Sequence, residues 1–355
     1  MASLHPESAE DVSTAIQQAI SEHKQISLCC AKNDSATAIH LHLDRLNQVI
    51  DYPFDDMTIT VQAGITCTEL NQVLAAHNQQ LPIDIHQTTT TVGEVVASNL
   101  FGPRVCGYGT IRDYLIGIQA VDGAGRIFKA GGKVVKNVAG YDLCRLMIGS
   151  HGRLGTITEC TFKLNPLPAS ASAIRIGFQS QIELTAALQA LNSSNARPTF
   201  VDLHWSASGK EYAELVVGIE GSASSCRWQL DQIQQECKVP AIESFSSRQV
   251  ADYLSHPDHF WTTSQQRLKT RRSHIVAIAD HFIQQQLPFH GYAADGILHT
   301  SVDPQLRSIL MKAVPTADVQ FCDRNPAFTA QQHPLNERLL HTFDPHGIFK
   351  QVPES

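Results

Sequence analysis

Glycine and basic side chains are concentrated in one segment of this sequence. Twelve of the chain's 21 glycines fall between Gly102 and Gly155. The same segment carries eight Lys or Arg residues against three Asp and no Glu, although the whole chain has a formal net charge of -7. Glycine lets backbone N–H groups approach a ligand closely, and loops of this kind suit phosphate oxygens. The composition therefore predicts a local site for a phosphate-bearing ligand.

Two common phosphate-binding motifs are missing from the sequence. The Rossmann fingerprint GxGxxG does not occur, because GSHGRLG (149–155) spaces its glycines three apart and precedes a strand. A Walker A motif, GxxxxGK[ST], is absent as well. These absences argue against a classical nicotinamide-dinucleotide fold and against a P-loop protein.

The glycine loop 149–155 lies between a predicted helix and a predicted strand. Residues 142–148 have apolar side chains at helical spacing, and Gly149 is a suitable helix stop. Residues 156–164 read as a buried strand, and residues 88–114, with their hydroxyls, glycines, Arg104 and Arg112, are expected to form the facing wall. A valine at Gly152 is expected to remove a bound cofactor with little loss of folded protein, because it would fill the approach path.

The remaining pattern predicts an α+β protein. Alternating strands are expected at 38–43 and 58–63, with His40 and His42 facing water in the first. Residues 66–76 read as a helix that begins with a capping box, and DGAG (122–125) predicts a hairpin.

The clearest linker is NPLPAS (165–170). We expect the chain to divide into two domains, at 1–168 and 169–325, and a C-terminal segment at 326–355. After it, the order strand, helix, strand, strand, helix indicates a ferredoxin-like domain. A helical run is expected at 259–268 and a short helix near the C-terminus, and no internal repeat is visible.

Composition excludes several classes of protein. A sequence pI near 6.2 argues against a general nucleic-acid binder. Nine cysteines without a CxxC motif fit neither a disulfide framework nor an iron–sulfur site. The first twenty residues lack the features of a signal peptide, and no window reaches the roughly 20 apolar residues of a membrane span. We therefore expect a cytoplasmic protein.

A set of spaced motifs resembles the FAD-binding domain of vanillyl-alcohol oxidase type flavoproteins. More narrowly, it resembles the flavin-binding E subunits of bacterial glycolate oxidases. The motifs, in order, are TVG (91–93), ASNLFGPR (97–104), YGTIRDYLIGIQAVDGAG (108–125), KNVAGYD (136–142), GSHGRLGTITE (149–159) and DPHGIF (344–349).

The resemblance implies FAD as the cofactor, a two-part FAD-binding domain, a ferredoxin-like second domain and a short C-terminal helix. It also implies which residues approach the cofactor. They are Asn33, Ser35, Thr91, Val92, Gly93, Ser98, Asn99, Gly102, Tyr108, Gly109, Thr110, Asp113, Gly152, Gly155 and Ile157.

The sequence departs in three places from the pattern of the family that it resembles. The glycine-rich first phosphate loop is replaced by CCAKNDS (29–35), where Asp34 brings a negative charge, and a second glycine is replaced by Glu94. HGYAADGILH (290–299) is similar to the HxGDGNxH metal-binding stretch of related dehydrogenases, but Tyr292 and Ile297 replace two of its positions. We expect a structural hairpin there and no metal.

Three functions remain open at this point. The first is the FAD-binding subunit of a glycolate oxidase-type complex, acting with a catalytic flavoprotein subunit and an iron–sulfur subunit, and peripheral to the membrane through them. The second is a self-sufficient FAD-dependent oxidoreductase of another hydroxy acid or alcohol, for which His204, His290 and His299 are the candidate acid–base groups. The third is a cofactor-free assembly subunit. No catalytic residue is assigned.

Overall fold

The computed structural model describes most of the chain in nine segments. They are residues 3–28, 38–85, 89–132, 141–238, 240–255, 265–301, 306–314, 319–322 and 334–349. Their elements form an α+β fold, as the sequence predicts.

A small parallel sheet and one helix open the chain. The elements are β1 (Ser3–Leu4), α1 (Ala9–Ser21), β2 (Gln25–Leu28) and β3 (Ala38–Leu41). Helix α1 begins at Ser8, whose side chain accepts the N–H of Asp11, as N-cap serines do. Its apolar face packs on the strands of the sheet, whose order is β1-β3-β2.

A five-stranded antiparallel sheet follows, in the order β4-β5-β9-β7-β8. The elements are β4 (Val49–Asp51), β5 (Thr58–Gln62), α2 (Cys67–Ala75), β6 (Gln79–Gln80), α3 (Val92–Ser98), α4 (Val105–Tyr108), β7 (Leu115–Val121), β8 (Ile127–Gly131), α5 (Leu143–Met147), β9 (Thr156–Lys163) and β10 (Asn165–Pro166). The predicted capping box of α2 is present between Thr66 and Glu69. The predicted hairpin joins β7 and β8.

The second half of the chain builds one eight-stranded sheet, in the order β14-β11-β13-β12-β16-β17-β15-β18. The elements are β11 (Ser170–Phe178), α6 (Gln181–Ser193), β12 (Phe200–Trp205), β13 (Ala213–Gly221), α7 (Ala223–Cys237), β14 (Ala241–Phe245), α8 (Ser247–Leu254), β15 (Gln265–Lys269), α9 (Ile275–Gln284), β16 (Phe289–Tyr292), β17 (Ile297–Ser301), α10 (Leu306–Ala313) and β18 (Gln320–Cys322).

This sheet contains the β-α-β-β-α-β order twice, side by side. Strands β11 to β14 form the first unit and strands β15 to β18 the second, and they meet where β12 pairs with β16. Helices α6, α7, α9 and α10 cover one face of the sheet. Helix α8 packs on the opposite face through Val250. The two units share a topology but not a sequence pattern, so no repeat is visible in the sequence.

The last helix, α11 (Pro334–Phe343), and the residues after it contact the first half of the chain. Phe343 packs on the core of the five-stranded sheet, and Gly123 donates its N–H to the Phe343 carbonyl. Ile348 and Phe349 join the core of the small parallel sheet. The domain limits at 168 and 325 stay predictions.

Two expectations are wrong. His40 does not face water: it is buried, as are all four residues of β3, the central strand of its sheet. The C-terminal end of the run expected to be helical at 259–268 is strand β15, which pairs with both β17 and β18. Sheet pairing outweighs local helical spacing there.

Candidate functional site

The structure brings the glycine loop 149–155 against the end of α3. Gly149 donates its N–H to the carbonyl of Val96 at 3.0 Å, and His151 donates its N–H to the carbonyl of Ala97 at 2.8 Å. Asn99 ends α3 in the left-handed conformation, with φ of 48°. Two of the predicted cofactor-facing segments are therefore neighbours in space.

Thr91, Val92 and Gly93 form the start of α3, and their polar groups are largely used within the chain. The Thr91 hydroxyl oxygen accepts the N–H of Glu94. Val92 and Gly93 donate their N–H groups to the carbonyls of Ile65 and Ala63. A Cβ at Gly93 would lie 2.9 Å from the Ala63 Cβ, so this glycine is required by packing.

The segment 98–113 lies between the five-stranded and the eight-stranded sheets, and several of its predicted site residues also have partners in the chain. The Gly102 carbonyl accepts the N–H of Val105. Thr110 and Asp113 form a capping box, and Gly109, at φ of 82°, has no room for a Cβ beside the Asp113 carboxylate. Ser98 is the last residue of α3.

Arg104 and Tyr108 tie this segment to the second half of the chain. Arg104 pairs with Asp84 at 2.7 Å and with Glu220 of β13 at 3.2 Å. Tyr108 donates its hydroxyl to Glu220 at 2.6 Å. Burial by itself would lower the pKa of the Arg104 guanidinium, but the carboxylates of Asp84 and Glu220 raise it above its usual value. Arg104 is therefore a charged contact between the two halves of the chain.

Gly152, Gly155 and Ile157 lie where the two sheets of the first half meet. A Cβ at Gly152, whose φ is 74°, would lie 2.6 Å from the Leu28 Cδ1 of β2. The Ile157 side chain is buried in the core, so only its backbone is available to a cofactor. The expectation that a valine at Gly152 leaves folding almost unchanged is therefore revised, because it would be strained and would collide with Leu28.

Several buried polar atoms around this loop have no hydrogen-bond partner within the described residues. They are the Ser150 Oγ, the Thr156 Oγ1, the Asn99 Oδ1 and the His40 Nε2. Ser150 and Thr156 flank the glycine loop, Asn99 faces Gly149, and His40 lies on β3 beside the strand that carries Leu28. Buried polar groups are nearly always paired, so these atoms fit a ligand rich in hydroxyl and phosphate oxygens.

The electrostatics of the loop also suit an anion. Arg153 is buried, and burial lowers the pKa of its guanidinium, which at pH 7 still carries its charge. Burial, together with the neighbouring Arg153, lowers the pKa of the His151 imidazole to about 4. His151 is therefore neutral at pH 7, and the loop contributes positive charge through Arg153.

Sequence reasoning missed Ser150, Arg153, Thr156 and His40. Ser150 and Thr156 stand within the motif GSHGRLGTITE (149–159), but hydroxyl residues are common and their burial is not visible in a sequence. His40 was interpreted as solvent-facing. Asn33 and Ser35, like Asp34, lie outside the described residues.

The stretch 290–299 is a hairpin of β16 and β17, as expected. Within the described part of the chain, no group of three or more His, Cys, Asp or Glu residues could hold a metal ion. Among the helices of the described segments, none is long and apolar enough to cross a membrane.

Comparison with known proteins finds one matching family model and several relatives. Residues 2–131 match the family model described as an FAD binding domain. The chain is 28% identical over 308 residues to glycolate oxidase subunit GlcE of Escherichia coli (strain K12), covering 85% of this chain and 83% of that protein.

Two further relatives align over less of their own length. D-2-hydroxyglutarate dehydrogenase of Stutzerimonas stutzeri (strain A1501) is 23% identical, covering 73% of this chain and 63% of that protein. Glycolate oxidase subunit GlcD of Bacillus subtilis (strain 168) is 34% identical, covering 42% and 32%. This chain thus spans less than two thirds of either protein.

A solved structure of an alkyldihydroxyacetonephosphate synthase shares the fold. It superposes with a TM-score of 0.71 at 17% identity, covering 99% of this chain and 76% of that one. This likeness confirms the predicted fold class. The match to the FAD-binding family model confirms FAD as the cofactor.

Proposed function

We propose that this FAD-dependent oxidoreductase chain is the FAD-binding subunit of a glycolate oxidase-type complex. The complex would oxidise glycolate to glyoxylate and pass the electrons to an acceptor. Its other members would be a catalytic flavoprotein subunit and an iron–sulfur subunit. Similarity to GlcE over most of both chains supports this assignment. We place the complex in the cytoplasm, associated with the membrane only through its partners.

The observation that carries FAD binding is the cluster of buried, unpaired polar atoms around the loop 149–155. The Ser150 and Thr156 hydroxyls would donate to the cofactor, and Arg153 would offset its negative charge. FAD supplies hydride and electron transfer when bound. The predicted residues at 91–93, 98–102 and 108–113 have most of their polar groups paired within the chain, so we infer that they shape the walls of the site.

The test is to purify the full chain, record its visible spectrum and titrate the protein with FAD. We expect a yellow protein that retains FAD through gel filtration. Coexpression with a catalytic flavoprotein subunit and an iron–sulfur subunit should then yield a complex that reduces an artificial acceptor with glycolate. A colourless chain that binds no added FAD, yet still assembles, would instead support the cofactor-free subunit.

Replacing Thr156 with valine should raise the Kd for FAD about 10-fold to 150-fold. The loss of a hydrogen bond to a charged group costs about 1.5–3 kcal/mol, and 1.4 kcal/mol corresponds to a factor of ten. The measurement is a titration of apoprotein with FAD, followed by flavin fluorescence.

Thr158→Val is the matched control, because Thr158 is equally buried on β9 but its hydroxyl already contacts Gln119. Its Kd for FAD should stay within twofold of the wild-type value. Equal affinities for all three proteins would show that the Thr156 hydroxyl does not face the cofactor.

A further inference from the structure

Four cationic side chains lie close together on strand β15 and directly after it. Arg267 and Lys269 belong to the strand, and Arg271 and Arg272 follow it. Leu268 packs into the core under the helices, so Arg267 and Lys269 lie on the opposite face of the sheet. The chain as a whole has a formal net charge of -7. This group of cations is therefore a local positive region on an acidic protein.

Lys269, Arg271 and Arg272 form a surface that we call the basic strip. All three are exposed, and none of their side chains makes an ion pair with a residue that the structure describes. The exposed side chains of Arg45 and Arg145, by contrast, pair with carboxylates of their own chain. The described part of the chain therefore leaves the charge of the basic strip available to a partner.

The backbone that carries the basic strip is held in place from several sides. Strand β15 pairs with β17 on one side and with β18 on the other. Thr270, within the strip, is buried and donates its N–H to the Gly296 carbonyl at 2.8 Å. Binding costs less conformational entropy when the contacting residues are already ordered. The basic strip is therefore preorganised for a partner.

The basic strip lies at the boundary between the two halves of the chain. Burial raises the pKa of the Asp295 carboxyl, and the charges of Arg272 and Lys269 act against that rise. Burial, followed by the Asp295 carboxylate, raises the pKa of the Cys106 thiol to about 11, and Arg272 opposes the rise. Cys106 belongs to α4 of the first half, so Arg272 lies within electrostatic range of that half. One carboxylate does not neutralise three cations, so the boundary stays positive here.

Strand β15 also contacts the segment that we infer to shape the wall of the flavin site. The Arg267 guanidinium carbon lies 4.6 Å from the centre of the Phe101 ring. Phe101 stands between Asn99 and Gly102, two of the predicted cofactor-facing residues. Lys269 follows Arg267 on the same face of the strand. A protein docked on the basic strip is therefore placed beside the flavin site.

We propose that the basic strip docks an acidic surface of the protein that accepts electrons from this chain, the iron–sulfur subunit of the proposed complex. The contacts are ion pairs of Lys269, Arg271 and Arg272 with carboxylates of that partner. The inference rests on the proposed function, since it requires FAD in this chain and an iron–sulfur partner. It goes further by naming the surface at which the electrons leave.

The chemistry of the basic strip suits a protein surface better than a lipid surface. Complementary charge speeds the encounter of proteins, and electron-transfer partners often meet through small interfaces. Interfacial membrane binding combines cationic side chains with apolar ones such as Trp, Phe or Leu. No residue from 266 to 274 is an exposed large hydrophobic residue. The expected occupant is therefore an acidic protein.

The electron transfer at this surface balances without any further reactant. Two electrons pass one after the other from the reduced flavin to oxidised iron–sulfur clusters of the partner, and each cluster accepts one electron. Two protons pass from the flavin to solvent. This leaves the flavin oxidised and the clusters reduced, and no bond forms between the two proteins.

The first test measures association of the full chain, with and without FAD, with the purified iron–sulfur subunit. The strip variant carries Lys269→Gln, Arg271→Gln and Arg272→Gln together. At an ionic strength of about 0.01 M its association rate constant should fall about tenfold, because charge steering contributes about 10-fold to 1,000-fold. At about 1 M, where the Debye length is about 3 Å, wild type and variant should associate at similar rates.

Lys210→Gln, Arg227→Gln and Arg248→Gln together form the matched control. They remove the same number and types of charge from exposed positions elsewhere in the second half. Association of the control should stay within twofold of wild type, and both triple variants should keep the flavin content and thermal unfolding of wild type. Arg271→Glu alone, which leaves both cationic neighbours of Asp295 in place, should also slow association at low salt.

A second measurement needs no protein partner. The FAD-loaded chain is reduced with one equivalent of dithionite and mixed anaerobically with ferricyanide, an anion, or with tris(phenanthroline)cobalt(III), a cation. Each reduced flavin consumes two equivalents of either acceptor. At low ionic strength the strip variant should react more slowly with ferricyanide and faster with the cobalt complex, because the local potential at the exit surface has changed. The control should change neither rate.

The outcomes distinguish this inference from the proposed function. Wild-type association in the strip variant, with a complex that still assembles, would overturn the docking surface and leave the FAD-binding subunit intact. The strip would contact a membrane instead if the variant lost only its binding to phosphatidylglycerol vesicles. A wild-type chain that binds FAD but not the iron–sulfur subunit would overturn the docking surface and the proposed assembly. A chain that binds neither would overturn both proposals entirely.

Discussion

Replacing Arg104 with methionine should lower the free energy of unfolding by about 3–5 kcal/mol. The substitution keeps an unbranched apolar stem but leaves the carboxylates of Asp84 and Glu220 without their cation. Both are almost completely buried, and removal of one partner of a buried ion pair leaves an uncompensated charge in a low dielectric. The measurement is denaturant-induced unfolding of the full chain, followed by tryptophan fluorescence.

Arg145→Met is the matched control for this prediction. Arg145 pairs with Asp142 at 3.1 Å, but both side chains are more than half exposed. Solvent-exposed pairs typically contribute about 0–1 kcal/mol, so the control should hardly change stability. If the two variants unfold alike, Arg104 does not hold the two halves of the chain together.

Replacing Gly155 with valine should abolish FAD retention and destabilise the first half of the chain by about 3 kcal/mol or more. Gly155 has a φ of 148°, where a β-branched residue is strained. A Cβ there would lie 2.7 Å from the carbonyl oxygen of Val121. A residue held in such a sparsely populated region costs about 1–3 kcal/mol, and the collision adds to it. Thermal unfolding and flavin content measure the two effects.

Gly149→Ala provides the contrast within the same loop. Gly149 also has positive φ, at 75°, but a Cβ there would lie 3.7 Å from its nearest neighbour, the Asn99 Cβ. The free energy of unfolding should then fall by only about 1–2 kcal/mol, which is the cost of the left-handed backbone conformation. If Gly149→Ala retains FAD like the wild type and Gly155→Val loses it, the loss is caused by the collision at Gly155 and not by left-handed strain alone. A Gly155→Val protein that is stable and yellow would contradict the prediction.

Local sequence signals predicted the elements well where the physical cause is itself local. The capping box at Thr66 and Glu69 depends on two residues of one helical turn. The hairpin at residues 122–125 depends on turn residues with permissive backbones. Helix α5 and its stop at Gly149 needed only helical spacing and one glycine.

The two wrong predictions concern residues whose environment is set by segments distant in the chain. His40 alternates in a strand as a surface residue would, but β3 is the central strand of its sheet and all four of its residues are buried. The helical prediction at strand β15 is wrong because the partners that pair with this strand lie 28 or more residues further along the chain. No spacing rule within a short window contains that information.

By itself, the sequence determined the fold class, the FAD-binding motifs and the likeness to a glycolate oxidase subunit, because spaced glycines and short motifs are properties of the linear chain. Only the tertiary structure decided which polar atoms are buried without partners. It alone placed Ser150, Thr156 and Asn99 around one loop. Burial and cross-strand register arise only when distant segments pack together. They determine the chemistry of a site, and the linear sequence does not show them.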